Sequence, residues 1–116
     1  MLKVYIAGKL NAMAVDYLKN VSNMIHTAQR VKDLGFSVFV PCLDLIMGIV
    51  AGNYEYEDYS QNNLAWLEVS DCVLVLPGYE TSKGTLAEIK RAEEMKIPIY
   101  YKLEDLPKGN LNEEGK

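Results

Sequence analysis

Apolar residues fall into four short, β-favouring runs along the chain. The first run ends at Gly8, the second at Pro41 and the third at Pro77. Runs of this length and composition are typical of strands that are buried on both faces of a sheet. The pattern therefore predicts four strands, at Leu2–Ala7, Phe36–Val40, Cys72–Leu76 and Ile97–Tyr101.

Longer stretches between these runs carry apolar residues at helical spacing. Helices are predicted over Val15–Leu34, with Gly35 as a natural C-terminal residue, over about Tyr56–Val69, and over Thr85–Met95. The segment Cys42–Gly52 is apolar but interrupted by glycines, and the spacing of its apolar residues does not predict a helix or a strand. The positions expected to face the core are Val15, Leu18, Val21, Met24 or Ile25, Ala28, Val31 and Leu34 in the first helix and Leu64, Leu67 and Trp66 in the second.

Alternating strands and helices predict right-handed parallel crossovers, and hence a small doubly wound α/β domain. We expect one Rossmann-like or flavodoxin-like sheet of four to five strands in the order 2-1-3-4, with helices on both faces. Residues 1–106 would form this domain, and 107–116 a polar C-terminal tail. In such sheets ligands bind beyond the carboxyl ends of the strands, where the strand order reverses. The loops after strands one and three would line that crevice.

Composition narrows the classes of partner. The chain has 116 residues and a net charge of −4 without a visible basic face, which argues against nucleic acid as a partner and leaves a small polar ligand open. No run approaches the ~20 apolar residues of a membrane span, and the N-terminus lacks signal-peptide features. We therefore expect a cytoplasmic protein with no membrane contact, in which Cys42 and Cys72 are reduced core thiols.

The loop after the third strand is rich in hydroxyls and glycines and leads into a helix. Such a turn offers backbone N–H groups and the positive helix end to an anion. Ser82 would cap the helix, Gly84 and Thr85 would lie at its start, and Gly78 begins the loop. Glu88 has two interpretations: an acid that complements the helix dipole, or a catalytic carboxylate facing the crevice.

The loop after the first strand places Gly8, Lys9 and Asn11 beside the same crevice. A P-loop is excluded because Lys3 and Leu10 stand where that motif needs a glycine and a hydroxyl. A dinucleotide fingerprint is also excluded, since no further glycine follows at the required spacing. Lys9 either reaches a phosphate or carboxylate, or belongs to a solvated turn.

Two other features have competing interpretations. The segment Asn53–Tyr59 alternates aromatic and acidic residues, and it is either a flap that stacks on a nucleobase or a solvated helix start. The single histidine, His26, is expected on a helix face far from both loops. One histidine excludes a serine-type triad and a histidine-rich metal site, so any chemistry would rest on carboxylates.

Several segments together resemble the nucleoside 2-deoxyribosyltransferase superfamily, including its nucleotide N-glycosidase branch. The segments are Val4–Gly8, Val38–Pro41, Asn63–Asp71 and Ser82–Glu88, and the resemblance extends over about Lys3–Tyr101. It implies the same α/β fold, no metal or organic cofactor, and assembly as a homodimer or larger oligomer. Trp66 and the run Leu43–Val50 would supply the contact between copies, although Trp66 is equally compatible with the core.

The resemblance also implies roles for individual residues. Glu88 would be the nucleophile that attacks C1′ of the sugar, and Tyr5 would position it. The 5′ end would be held by the residues matching Gly8, Lys9, Asn11, Ser82 and Gly84. Serine at position 82, rather than an acid, resembles the nucleotide hydrolases and favours a 5′-monophosphate over a free nucleoside.

One residue departs from the family pattern. Asn63 stands where an acid usually assists departure of the base, and an amide cannot donate a proton as a general acid. Asp58 could substitute, the base could need little help, or the protein could bind without turnover. Asp71, eight residues later, is expected to be structural.

A second similarity points to the same reaction class. Pro77-Gly78 followed by the segment Gly84–Glu88 resembles the motif of phosphoribohydrolases that release cytokinin bases, although an insertion separates the glycines. The sequence thus favours an enzyme that cleaves an N-glycosidic bond by hydrolysis or 2-deoxyribosyl transfer. The alternatives are a non-catalytic nucleotide sensor or sequestering protein, and an interaction domain without a ligand.

Overall fold

Four parallel strands form the centre of the protein, which is described here by a computed structural model for residues 1–107. The strands are β1 (Lys3–Ala7), β2 (Ser37–Phe39), β3 (Cys72–Val75) and β4 (Ile99–Tyr100). The helices are α1 (Ala14–Asp33), α2 (Cys42–Ala51), α3 (Tyr56–Glu68) and α4 (Lys83–Glu94), with 3₁₀ turns at Tyr79–Thr81 and Leu103–Asp105. The predicted polar tail, apart from Pro107, lies outside the described residues.

The strand order is β2-β1-β3-β4, which confirms the predicted topology. All three pairings are parallel, and β1 pairs with β3 from Val4 opposite Cys72 to Ala7 opposite Val75. The order reverses between β1 and β3, so the loops that follow these two strands emerge side by side. This confirms the predicted position of the crevice.

Alternation along β1 divides the core between the two faces of the sheet. Val4 and Ile6 pack with Met24, Ala28 and Val31 of α1, and Cys42 and Cys72 are buried free thiols in the same cluster. Tyr5 and Ala7 point to the opposite face. There they pack with Leu67 of α3 and with Ile89 and Ala92 of α4. Tyr5 is consequently delivered to the side of the sheet on which Glu88 lies.

Helix α1 extends past the core at its N-terminal half. Its 20 residues span about 30 Å, whereas the five residues of β1 span about 17 Å. The expectation that Val15 and Leu18 face the core is therefore wrong, because each is 65% exposed, and burial begins at Met24. The inward prediction for Trp66 is also wrong at 51% exposure, although its ring stacks on Phe39.

Two helices, α2 and α4, differ from the prediction from sequence. The unassigned run after β2 forms α2, which ends at Gly52 in the left-handed conformation, with φ of +79°. Helix α4 begins two residues earlier than predicted because Ser82 caps it. Within residues 1–107, no helix is long and apolar enough to cross a membrane.

Candidate functional site

A cleft of about 440 Å³ lies at the carboxyl edge of the sheet, between the loop after β1 and the start of α4. It brings together most of the residues that the sequence singled out. Its lining includes the predicted residues Gly8, Lys9, Asn11, Asn63, Ser82, Gly84, Thr85 and Glu88, and also Leu10, Pro41, Tyr56, Thr81 and Lys83.

The start of α4 forms one end of this cleft. The Thr85 backbone N–H donates to Ser82 Oγ over 3.2 Å, which confirms the predicted cap, and the two side-chain hydroxyls lie 2.8 Å apart. Gly84 keeps the adjoining surface open, because a Cβ placed there would meet only Tyr56 Oη, at 3.6 Å. The remaining N–H groups of the first turn and the positive helix end suit a phosphate or carboxylate.

The loop after β1 meets this helix start through Lys9. Its Nζ donates to Thr81 Oγ1 over 2.9 Å, which holds the ammonium group at the mouth of the cleft. Gly8 allows the loops after β1 and β3 to pack closely, since a Cβ at Gly8 would lie 2.8 Å from Leu76 Cδ1. A cation and a helix N-terminus therefore border the same end of the cleft.

Glu88 and Tyr5 form a hydrogen-bonded pair at the base of the site. The buried Tyr5 hydroxyl donates to Glu88 Oε2 over 2.5 Å. Burial raises the pKa of Glu88 from its ordinary value near 4.5 to about 7, the bond from Tyr5 lowers that pKa, and the charge of Asp44 raises it. Burial and the neighbouring Glu88 also raise the pKa of Tyr5 well above its usual range, so Tyr5 stays protonated as a donor.

The N-terminus of α4 is not the main influence on the ionisation of Glu88. Glu88 lies in the second turn of α4, whereas the helix field acts mainly on the first turn. Burial is the largest influence on the pKa of Glu88, and it favours the protonated form.

Asp44 is the residue that sequence reasoning missed. It lies in the first turn of α2, is only 6% exposed, and accepts a hydrogen bond from Asn62 Nδ2 over 3.1 Å. Burial raises its pKa, and its charge acts on both Tyr5 and Glu88, which places it near their pair. The signal was present, because Asp44 is the one charged residue between Asp33 and Glu55.

Two buried oxygens near this pair have no hydrogen-bond donor. Among residues 1–107, Asp44 Oδ1 and Asn63 Oδ1 are the buried side-chain polar atoms without a partner. Leaving a buried acceptor unsatisfied is costly, so such atoms mark positions where a ligand or a water supplies a donor. Asn63 lines the cleft together with Tyr56, whereas Asp44 is not among the lining residues.

Asp58, Gly78 and Asp71 are not among the residues that line this cleft. Asp58 accepts from the Glu55 backbone N–H over 2.7 Å in the capping box of α3 and does not line the cleft. Gly78 precedes the 3₁₀ turn with φ of +90° and acts on loop shape. Asp71 accepts from the Lys3 backbone N–H over 2.7 Å, which joins the starts of β3 and β1, as a structural role requires.

His26 does not lie far from both loops, and that expectation is wrong. It lines a second cleft together with Lys9 and Pro77, one from each loop. The length of α1 explains the difference, because a helix that overshoots the sheet brings its middle turns, rather than its first, to the level of the strand ends.

The family is decided by the match of residues 2–101 to a family model described as a domain of unknown function, DUF4406. The chain belongs to the DUF4406 family. Among curated proteins, none matches this DUF4406 chain.

A solved structure has the same fold as this DUF4406 protein. It is the 2-deoxyribosyltransferase of the psychrotolerant bacterium Bacillus psychrosaccharolyticus, characterised as a biocatalyst for the synthesis of antiviral and antitumoral nucleosides. The TM-score is 0.62 at 24% identity, and the match covers 84% of this chain and 69% of the other. The DUF4406 chain thus shares the fold of this 2-deoxyribosyltransferase.

Proposed function

We propose that the protein cleaves the N-glycosidic bond of a nucleoside 5′-monophosphate or nucleoside through a glycosyl ester on Glu88. The observation that carries the proposal is the Tyr5–Glu88 pair at the base of a cleft whose one end suits an anion. The fold shared with a 2-deoxyribosyltransferase supports the same reaction class. The product would be the free base after hydrolysis, or a new nucleoside after 2-deoxyribosyl transfer to a second base.

The 5′ end of the substrate would bind at the start of α4. Its phosphate would accept hydrogen bonds from the free N–H groups after Ser82 and from the Asn11 amide, and it would interact with the Lys9 ammonium group. Gly8 and Gly84 would leave the backbone accessible. Serine rather than an acid at position 82 avoids repulsion of that phosphate. This arrangement favours a monophosphate over a free nucleoside.

The base would lie toward Tyr56 and Asn63. Asn63 Oδ1 is a buried acceptor without a donor, and an N–H group of the base would satisfy it. Asp44 would act through Glu88 rather than on the base, because it does not line the cleft but its charge raises the pKa of Glu88. It is therefore a positioning residue in this account, and Asp58 keeps its capping role.

The reaction would proceed in two displacements. A carboxylate oxygen of Glu88 bonds to C1′ as the C1′–N bond breaks, and the electron pair leaves with the base nitrogen, which is protonated from solvent. Water or a second base then attacks C1′ and releases Glu88. The two inversions give net retention, and the Tyr5 hydroxyl orients the carboxylate for the first attack.

A non-catalytic nucleotide sensor or sequestering protein is the second candidate. Asn63 favours it, because the amide cannot protonate a departing base. In that case the same cleft binds nucleotide, and no base is released.

Base release tests both candidates. The purified protein is incubated with nucleoside 5′-monophosphates and with nucleosides, with and without an acceptor base, and released base is measured by chromatography. We expect release that Glu88→Ala abolishes and that Glu93→Ala, on an exposed part of the same helix, leaves intact. Dependence on the acceptor would identify a transferase. Nucleotide binding without release would instead establish the sensor.

We also infer that two copies associate through α2. Its Leu43, Ile46, Met47, Ile49 and Val50 are each at least 53% exposed, although they form an apolar helix face. Tyr59 of α3 packs against Gly48 of α2, because a Cβ at Gly48 would overlap the Tyr59 hydroxyl group, and Tyr17 of α1 also acts on Tyr59. Burial of this surface by a second copy would remove it from water.

A further inference from the structure

A second cleft of about 310 Å³ borders the candidate site and is lined mainly by α1. Lys9 lines both clefts, so the two share one wall. The loop residues Leu76 and Pro77 form the opposite wall. No residue of this second cleft has a part in the proposed cleavage except Lys9.

The charge of the second cleft is opposite to that of the whole chain. Lys9, His26 and Arg30 line it, and no acidic residue does so within residues 1–107. The full sequence carries a net charge of −4, so a basic cleft is not a consequence of overall composition. Cationic and N–H groups around a concave surface are the chemistry that recognises phosphate.

Helical spacing explains how these donors converge. Asn20, Asn23, Thr27 and Arg30 follow each other at three- and four-residue intervals, which places them along one stripe of α1. The Asn20 amide already donates to the Leu10 carbonyl over 3.4 Å, which links α1 to the loop after β1. The other members of the stripe make no side-chain hydrogen bond within the described part of the chain.

His26 and Arg30 are exposed side chains of α1 that an external ligand can reach. His26 Nδ1 donates to the Ser22 carbonyl oxygen over 2.8 Å, because a carbonyl can only accept, and this leaves Nε2 as the second ring position. The Arg30 guanidinium has no acidic partner in residues 1–107, unlike Arg91, which pairs with Glu68 and Glu94. An unpaired guanidinium beside an imidazole and an amide can chelate phosphate oxygens.

We propose that this second cleft binds a phosphoryl group, with Arg30 as its principal contact, Asn23 and Thr27 as further donors, and His26 beside them in the lining. The group is either the distal phosphate of a nucleoside di- or triphosphate whose first phosphate lies at the start of α4, or part of a separate phosphorylated molecule. Lys9 would contact the phosphate chain in the first case. The proposal concerns binding and does not depend on bond cleavage by Glu88.

The single histidine gives a direct readout. Because His26 is the only histidine, its ring signals in NMR spectra are unique and report on this cleft. The protein is titrated with inorganic phosphate and pyrophosphate, and in parallel arms with a nucleoside mono-, di- and triphosphate. The test variant is Arg30→Gln, and the matched control is Lys32→Gln, which removes one exposed positive charge from the same helix.

We expect pyrophosphate to shift the His26 signals in the native protein and in Lys32→Gln, and about tenfold weaker binding in Arg30→Gln. If the group is a distal phosphate, the triphosphate binds more tightly than the monophosphate and Arg30→Gln removes the difference. If it comes from a separate molecule, saturating monophosphate leaves the pyrophosphate shift unchanged. His26 signals that no probe moves, or equal losses in both variants, would overturn the proposal whether or not the protein releases base.

Discussion

Glu88 is held between influences that move its pKa in opposite directions. Burial and the charge of Asp44 raise it, the Tyr5 hydroxyl lowers it, and the result is a carboxyl that titrates at about 7. If Glu88 attacks as the carboxylate, activity rises with pH through that value, because the protonated form is not nucleophilic. Both neighbours can be changed while Glu88 itself is kept.

We predict that Tyr5→Phe and Asp44→Asn displace the pH profile in opposite directions. Loss of the Tyr5 hydroxyl removes a bond to the ionised form, so the midpoint of kcat/KM against pH moves up. Loss of the Asp44 charge removes a repulsion, so the midpoint moves down. The measurement is kcat/KM for the released base between pH 5 and 9.

The direction of each shift is the decisive quantity, since either variant can also lower the rate uniformly. Tyr101→Phe and Asp16→Asn are the matched controls, because both residues are exposed and away from the cleft. Their midpoints should stay at the native value. Two shifts of the same sign would mean that Glu88 does not set the profile.

Individual residues differed in how far the sequence could place them. A serine just before a helix accepts a hydrogen bond from a backbone N–H only three residues later. The role of Ser82 could therefore be predicted from the sequence around it. Burial of Asp44 depends on Asn62 of another helix, and proximity of His26 to the loops depends on how far α1 overshoots the sheet. Neither contact is set by neighbouring residues. The isolated charge of Asp44 in an apolar run marks it as unusual, but it does not reveal which side chains it meets.

At Gly84, in the first turn of α4, the residue that best stabilises the helix differs from the residue that best admits a ligand. This glycine has an ordinary helical backbone, and a Cβ would meet only Tyr56 Oη at 3.6 Å. Alanine is the better helix former by about 0.5–1 kcal/mol. The fold therefore does not require glycine at this position. Close approach of a phosphate to the backbone does require it, because a side chain would stand in the way.

We predict that Gly84→Ala keeps or slightly raises Tm but weakens substrate binding, with KM raised about tenfold or more through the added methyl group. Thermal unfolding and initial rates measure the two effects. Ser82→Ala provides the contrast, because loss of the cap should lower stability by about 1 kcal/mol as well. Unchanged KM in Gly84→Ala would place the 5′ end of the substrate elsewhere.

The strands that are buried along their whole length were the elements that the sequence predicted best. The central strands β1 and β3 are buried on both faces and were predicted to within a residue at each end. The outer strands are shorter than predicted, because β2 and β4 each pair on one side only. Helix α2 escaped prediction since a nearly continuous apolar run has no polar face to reveal its period.

The molecule as a whole exposes more apolar surface on α2 and the start of α1 than packing within one copy explains. Val15, Leu18, Ile49 and Val50 are each at least 65% exposed. We predict that the protein is a dimer and that the double variant Ile46→Glu, Val50→Glu is a monomer with an unchanged fold. Light scattering after gel filtration measures the mass, and circular dichroism the fold.

Val69→Glu is the control for that experiment, because Val69 is an exposed apolar residue beyond the end of α3. It should leave the dimer intact. A native protein that is monomeric at high concentration would show that the proposed dimer does not form. A double variant that is still a dimer would show that the two copies associate through a different surface.

Trapping a sugar on Glu88 tests the central claim most directly. Trypsin cleaves after Lys83 and Lys90, and the resulting peptide Gly84–Lys90 contains Glu88 as its single acidic side chain. The protein is mixed with excess nucleoside 5′-monophosphate, quenched in acid during turnover and digested, and the peptides are analysed by mass spectrometry. We predict a sugar phosphate adduct on this peptide that is absent from Glu88→Gln. Base release with an unmodified peptide and undiminished activity in Glu88→Gln would contradict the account.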